Sequence, residues 1–515
     1  MSIPGYATPE ATAARARTLA GDHPNFFTNL GRTGLTVSRL GFGTYRCNPD
    51  IEQHRQALLA AIAQGCNLID TSANYMDGGA EVLIGDVLNE LVVWGDFDRE
   101  LLTVVSKVGY IQGENMELVR AAEEKGRPFP ETVKLQDQLW HCIHPDFLED
   151  QITRSLARMH LDTLDVYLLH NPEYFLMSAI GEEGLPREEA ERLFYDRIRR
   201  AFIHLEKLVE EGLIRYYGIS SNGFPLHPDE LDYVSLSKVW RAYQDACLQS
   251  GKTAEDGHFA VVQMPCNWVE HQAVTLPNNL WEGDMLSVVE MASRLRLGVL
   301  TNRPLNAIRD NRLLRFAAYS ANPPANPRPH FDKHLENLET LEQTLRRYLT
   351  DHKIELDVRE TPILDLFYNA DRLRQLAEGG GDHSQAREIL QSYFLPWIEV
   401  GSRTLADHMA EDTQLPVMLD AYQRLFLDTG QAWLDLIDAQ NLVQISPFLE
   451  KLGQLSPTPA EEGSIAQKAL QVCLNLPGVD VVLNGMRNSD YVAESMAVLN
   501  FPAGFDPLSL LTPSE

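Results

Sequence analysis

Leu68-Ile69-Asp70-Thr71-Ser72-Ala73-Asn74-Tyr75 starts apolar and ends polar, the pattern of a short buried strand giving way to a loop. It delivers a carboxylate and, five residues on, a phenol to the end of that strand. Working outward, two later apolar runs finish the same way. Thr103-Val104-Val105-Ser106-Lys107 ends on a lysine and Leu164-Asp165-Val166-Tyr167-Leu168-Leu169-His170 on a histidine. In a parallel α/β barrel the C-terminal strand ends carry the chemistry, so Asp70, Tyr75, Lys107 and His170 are expected to form one site.

The rest of the chain supports such a barrel. Leu40-Gly41-Phe42-Gly43-Thr44-Tyr45 reads as the first strand, preceded from Leu30 by a hairpin pattern suited to plugging a barrel bottom. A helical pattern from Ile51 to Gln64 closes on Gly65, and another runs from Glu81 to Leu91. The connection from Tyr110 to His144 reads as a long, charged and aromatic loop, and loops of that length are usually functional. After the helix Pro145 to Met159 and the strand ending at His170, further strands follow at Ile214 to Ser220, Phe259 to Met264 and Leu297 to Thr301. Strand alternates with helix throughout, which argues for a parallel sheet closed into a barrel. The eighth strand, Asp480-Val481-Val482-Leu483-Asn484, comes only far downstream, between helices at Ser464 to Leu476 and from Ser489.

The intervening stretch opens on the proline-rich Asn322 to Pro329, expected to be stiff and extended. It continues with Leu335, Leu338, Leu341, Leu345 and Leu349 on one helical face. The expected architecture is a (β/α)8 TIM barrel with an N-terminal hairpin and an inserted all-helical subdomain between strand seven and helix seven. Its segments are an N-terminal arm (1–28), the first part of the barrel (29–308), the insertion (309–460) and the barrel completion (461–515).

Composition narrows the function. Of 515 residues, 44% are hydrophobic, enough for a sizeable core. With 73 acidic against 44 basic residues the net charge is −29, which repels a phosphate backbone and argues against nucleic acid. There is no membrane-spanning run and no secretory signal pattern. Ala11 to Arg17 faintly resembles a transit peptide, but Glu10 and Asp22 oppose that, and a frayed or surface-bound arm is expected. The 6 cysteines form no Cys-x-x-Cys pair, consistent with a reducing, cytoplasmic setting.

Chemically, a lysine between Asp70 and Tyr75 favours the phenolate, so the phenol pKa is expected to fall from its usual value near ~10. Tyr75 then serves as a proton donor, and His170 donates a second hydrogen bond that orients a carbonyl. The constellation lacks a nucleophile, and a polarised carbonyl beside a proton donor calls for hydride from a nicotinamide. Taken singly, Asp70 and Lys107 are more often capping or salt-bridged residues; all four at matching strand ends are hard to attribute to chance.

These motifs resemble the aldo-keto reductase superfamily. The likeness runs through Leu30-Gly-Arg-Thr-Gly-Leu-Thr-Val-Ser-Arg-Leu-Gly-Phe-Gly-Thr44, Asp70 to Tyr75, Lys107 and Asp165 to His170. It continues in Gly218-Ile-Ser-Ser-Asn222, Val262 to Asn267, Gly485-Met-Arg487 and Glu494. The resemblance implies an Asp-Tyr-Lys-His tetrad and NADP(H) extended across the barrel rim. It further implies that Ser221, Asn222 and Gln263 hold the nicotinamide carboxamide, that Arg487 meets the adenosine 2′-phosphate, and that Arg303 and Glu494 complete the cofactor contacts. NADPH is then preferred over NAD, and the substrate is a small-molecule aldehyde or ketone.

Three departures stand out. Asn302 occupies the place where many relatives stack an aromatic ring on the nicotinamide, Tyr491 and Ser495 replace the usual Gln and Asn of the last helix, and the insertion has no counterpart. The insertion is a candidate lid, partner platform or oligomer interface, and the alternative function is a cofactor-sensing or scaffold protein acting through it. His141-Cys142-Ile143-His144 lacks a fourth metal ligand and suits a helix cap or the substrate pocket, so no metal is expected. Ser250-Gly251-Lys252-Thr253 lacks the leading glycine of a phosphate loop.

Overall fold

The computed structural model describes all residues except 1, 22–24, 96, 310–311, 318–323, 325, 359–360, 380–381, 454–462, 502–505 and 512–515. The chain folds into two compact units, Met1–Asn311 with Leu452–Glu515, and Arg312–Lys451.

The first unit is a closed barrel of eight parallel strands: β1 (Leu40–Gly43), β2 (Leu68–Asp70), β3 (Thr103–Val108), β4 (Leu164–His170), β5 (Ile214–Ser220), β6 (Phe259–Pro265), β7 (Gly298–Asn302) and β8 (Val481–Asn484). They pair in sequence order, and β8 closes on β1 through Val482 opposite Leu40 and Asn484 opposite Phe42. Register aligns the chemistry-bearing ends: Asp70 lies opposite Gly43 and Val105, Lys107 opposite Leu168, and Ser220 opposite both His170 and Gln263.

Buried Leu68, Val105, Val166, Leu168, Val261, Leu300, Val481 and Leu483 fill the barrel, packed with Leu30, Leu35 and Val37 from below. The hairpin expected at Leu30 to Leu40 is set slightly earlier, with strands Phe27–Asn29 and Thr36–Ser38. Its buried leucines make it the plug of the barrel, each contributing about 1.5–3 kcal/mol by leaving water. Gly218 is sterically required: a Cβ there would lie 1.8 Å from the Val261 carbonyl oxygen, where the β5–β6 register shifts.

The segment before the hairpin is bound rather than frayed. Its helix, Pro9–Ala20, is capped by Thr8, and the Ala7 amide donates to buried Asp165, which also accepts from the Val104 amide and pairs with Arg99 at 2.6 Å.

The Tyr110 to His144 connection is not the irregular loop expected from its composition. It forms the helix Gly113–Glu124 and a three-stranded antiparallel sheet of Tyr110–Ile111, Leu139–His141 and Val133–Gln136. The helix buries only Asn115, Met116 and Val119, so its apolar stripe was too narrow to read among charged neighbours.

In the second unit, the helix Pro327–Asp351 buries Phe331, Leu335, Leu338, Leu345 and Leu349 against later helices, with Leu341 partly buried beside them. The proline stretch expected to be extended is helical from Pro327 onward, because a proline in the first turn of a helix has no amide bond to lose. Asn322, Pro323 and Ala325 lie outside the described residues. Besides its helices, the unit has, among the described residues, the strand Arg312–Arg315 and a two-residue ladder of Asp357–Val358 with Thr361–Pro362.

Candidate active site

The four strand-end residues meet. Lys107, fully buried, donates from Nζ to Asp70 Oδ2 at 2.7 Å, to the Thr71 carbonyl at 2.8 Å and to the Tyr75 hydroxyl at 3.1 Å. The second carboxylate oxygen of Asp70 accepts from Gln263 Nε2 at 2.7 Å, and Gln263 Oε1 in turn accepts from Ser220 Oγ at 2.9 Å. β2, β3, β5 and β6 therefore share one buried hydrogen-bond network, in which each bond fixes the next donor. On the other side of Tyr75, His170 Nδ1 lies 3.1 Å from Ser72 Oγ, and the two rings meet edge-on with centroids 6.0 Å apart.

Electrostatics follow from burial. Burial opposes the charge on Lys107, but Asp70 and Tyr75 outweigh it and the ammonium is held firmly protonated. Burial pushes the Asp70 carboxyl up, against the pull of Lys107 and the Gln263 amide. Tyr75 corrects the sequence expectation, because burial raises the phenol by more than Lys107 lowers it, and Asp70 adds to the rise. A raised phenol keeps its proton at neutral pH, which is the form a donor needs. Burial, Lys107 and His141 together keep His170 neutral. Among the described residues its Nε2 has no protein partner, so that atom is available to a ligand.

The expected cofactor residues occupy the same C-terminal rim. Ser221 and Asn222 follow β5, Gln263 ends β6, Arg303 follows β7, and Arg487 precedes the last barrel helix, Ser489–Ala497, which carries Glu494. Gln263 is tied to Asp70 and Ser220 within the same buried network. The Ser221 hydroxyl donates to Glu173 at 2.9 Å, and the Asn222 amide donates to the same carboxylate at 2.8 Å. Ser495, one of the departures, bonds buried Asn484 at 2.9 Å, which gives it a structural partner.

The rim suits an extended dinucleotide. Among the described residues, buried Asn302 Oδ1 and Arg303 Nε have no hydrogen-bond partner, although the Arg303 guanidinium also pairs with Glu270 at 3.2 Å. Arg487 has no carboxylate partner among the described residues, and its charge is felt at Cys47 and His54. Orphaned polar atoms and an uncompensated cation along one rim are what a polar, anionic ligand would satisfy.

Several residues were missed from sequence. Glu173 is buried, and burial holds its carboxyl up at about 7 while Ser221 and Asn222 pull it down. Tyr110 packs edge-on to His170 at 4.7 Å, and its hydroxyl bonds Asn171 at 2.7 Å and Tyr174 at 3.0 Å. Each lies within a few residues of a recognised strand end, so reading every strand-end loop in full would have found them. In the His141 to His144 cluster, His144 caps the helix Pro145–Met159 and His141 Nε2 is 2.7 Å from the His170 carbonyl oxygen. No group of three or more candidate metal ligands occurs among the described residues.

Residues 39–282 match the model of the aldo/keto reductase family. The chain is 31% identical over 223 residues to the NADH-specific methylglyoxal reductase of Escherichia coli (strain K12), covering 42% of this chain and 57% of that protein. It is 30% identical over 193 residues to aldo-keto reductase family 1 member A1-A of Danio rerio, covering 37% and 48%. The chain thus spans roughly half the length of these two curated relatives. Among solved structures, the holo form of aldo-keto reductase AKR11C1 from Bacillus halodurans aligns over 94% of both chains at 15% identity, with a TM-score of 0.45.

Proposed function

We propose that this chain, whose residues 39–282 match the aldo/keto reductase family model, reduces a small aldehyde or ketone with a nicotinamide cofactor, NADPH in preference to NADH. The observation that carries this reading is the Tyr75 hydroxyl 3.1 Å from a buried Lys107 that is itself held at 2.7 Å by Asp70. The cofactor, when bound, supplies the hydride. Tyr75 gives its proton to the carbonyl oxygen as the alcohol forms. Lys107 stabilises the phenolate left behind, and Asp70, braced by Gln263, keeps Lys107 in place.

His170 contributes as a neutral imidazole. When the Ser72 hydroxyl turns from Asn74 Oδ1 to His170 Nδ1, the ring proton sits on Nε2 and orients the carbonyl oxygen beside the Tyr75 hydroxyl. Tyr110, packed on His170, and half-buried Tyr174 form the adjoining wall. Glu173 holds the Ser221–Asn222 turn that faces the nicotinamide carboxamide, Arg303 lies along the β7 rim, and Glu494 with Arg487 completes the adenosine end.

NADPH preference rests on Arg487, placed between β8 and a helix N-terminus where a 2′-phosphate gains both a guanidinium and oriented amides. A reducing, cytoplasmic setting fits six cysteines that are all buried and unpaired. Among the described residues, no helix is long and apolar enough to cross a membrane.

The test is a tryptophan-fluorescence titration with NADPH and with NADH, followed by a carbonyl screen that starts with methylglyoxal. Tyr75→Phe should bind cofactor like the unaltered protein and lose at least about 10²-fold in turnover. Equal turnover by Tyr75→Phe would remove the proton-donor assignment, and binding of neither nucleotide by folded protein would remove the enzyme reading in favour of the scaffold.

A further inference from the structure

Tyr75 is followed by three residues with left-handed backbone: Met76 (φ 50°, ψ 37°), Asp77 (φ 56°, ψ 42°) and Gly78 (φ 87°). Glycine adopts this conformation freely and aspartate tolerates it, but methionine avoids it. Something must therefore hold the turn.

Two tethers do so, one on each side of Tyr75, and both end on the same segment. Asp77 receives the Glu114 amide on both carboxylate oxygens, at 3.0 and 3.1 Å. Asn74 Nδ2 donates to Gln112 Oε1 at 3.1 Å, while Asn74 Oδ1 accepts from Ser72, the residue that contacts His170. Between the two anchor points lies Gly113 (φ 49°), where a Cβ would come within 2.1 Å of Asp77 Oδ1. The carboxylate occupies the space a side chain would need. The helix Gly113–Glu124 adds its N-terminal field to the attraction, since Glu114 belongs to its first turn.

We propose that Asp77 is a positioning residue for Tyr75: by clamping the left-handed turn to the helix Gly113–Glu124, it keeps the phenol within reach of Lys107. Asp77 touches neither substrate nor cofactor and acts only through Tyr75. The inference rests on the reading of Tyr75 as proton donor. It makes the helix that interrupts the strand-helix alternation a support of the reaction, and it explains why a methionine and an aspartate can stand where the backbone favours glycine.

The experiment compares Asp77→Ala, Asp77→Asn, Asp77→Gly and Gly113→Ala in the full chain. It measures kcat and KM for a carbonyl, NADPH affinity, and the fluorine NMR signal of 3-fluorotyrosine placed at position 75. Asp77→Ala and Asp77→Gly should lower kcat about 10- to 100-fold, the order expected when a reacting group shifts by about 1 Å, with KM and cofactor affinity within about twofold. Their fluorine signal should shift or broaden. Asp77→Asn keeps an acceptor for the Glu114 amide and should retain most of the rate. Gly113→Ala displaces the carboxylate and should reproduce the loss with Asp77 intact.

A wild-type rate and fluorine signal in Asp77→Gly would overturn the proposal, because the backbone alone would then suffice. So would Asp77→Asn as impaired as Asp77→Ala. If the unaltered protein reduces no carbonyl, the donor reading fails, and the fluorine signal still decides whether Asp77 fixes Tyr75.

Discussion

Replacing Lys107 by methionine separates the structural from the chemical work of the buried network. Lys107 is fully buried, and among the described residues its ammonium is the only cation paired with the Asp70 carboxylate, at 2.7 Å. Methionine fills a similar volume but leaves Asp70 with the Gln263 amide alone. Breaking one side of a buried ion pair costs about 3–5 kcal/mol, because the abandoned charge stays desolvated. At roughly 2 °C per kcal/mol for a large domain, the barrel transition should fall by about 6–10 °C in a calorimetric scan. Without Lys107 to oppose burial, the native Asp70 carboxyl sits above its unfolded value near ~4, so the folded variant holds a proton that the unfolded chain has released. The loss should therefore be smaller at pH 5 than at pH 8.

Adding Asp70→Asn to Lys107→Met removes the stranded charge while keeping an acceptor for Gln263, and should recover at least half of the lost stability. Turnover should stay down by at least about 10²-fold in both variants, since neither can stabilise the Tyr75 phenolate. The reasoning is refuted if Lys107→Met unfolds with the unaltered protein, or if the double variant is no more stable than Lys107→Met alone.

Two further outcomes concern buried carboxylates. Glu173, with its pKa held up at about 7, accepts from Ser221 and Asn222, so cofactor affinity should weaken as pH falls through 7 and that dependence should vanish in Glu173→Gln; an unchanged pH profile would detach Glu173 from the cofactor site. In the helical unit, burial lifts Glu342 from 4.5 to about 7 against the pull of the Asn369 and Ala370 amides. Native protein then retains a proton that unfolded protein loses above pH 4.5, so its stability advantage over Glu342→Gln should shrink by about 3 kcal/mol between pH 4 and pH 8 in urea titrations; a constant gap would contradict it.

All eight barrel strands and the meeting of Asp70, Tyr75, Lys107 and His170 were legible because parallel strands are continuous apolar runs, and their polar terminators point to one rim whatever the loops do. The helix Gly113–Glu124 was not legible, since its few buried residues give a weak period. The direction of the Tyr75 shift was also missed. Proximity of Lys107 can be inferred from neighbouring strand ends, but the desolvation that outweighs it depends on every atom packed around the phenol.

By itself the sequence determined the order of strands and helices, the meeting of Asp70, Tyr75, Lys107 and His170, and the separation of β7 from β8 by a helical unit. Local periodicity and the constant geometry of a parallel barrel are enough for that. Only the tertiary structure decided that Glu173 takes the Ser221 hydroxyl, that Gln263 braces Asp70, and that Asp77 ties the turn after Tyr75 to the Glu114 amide. Those bonds join residues far apart in sequence, and their partners are chosen by loop paths and side-chain packing that no period in the chain records.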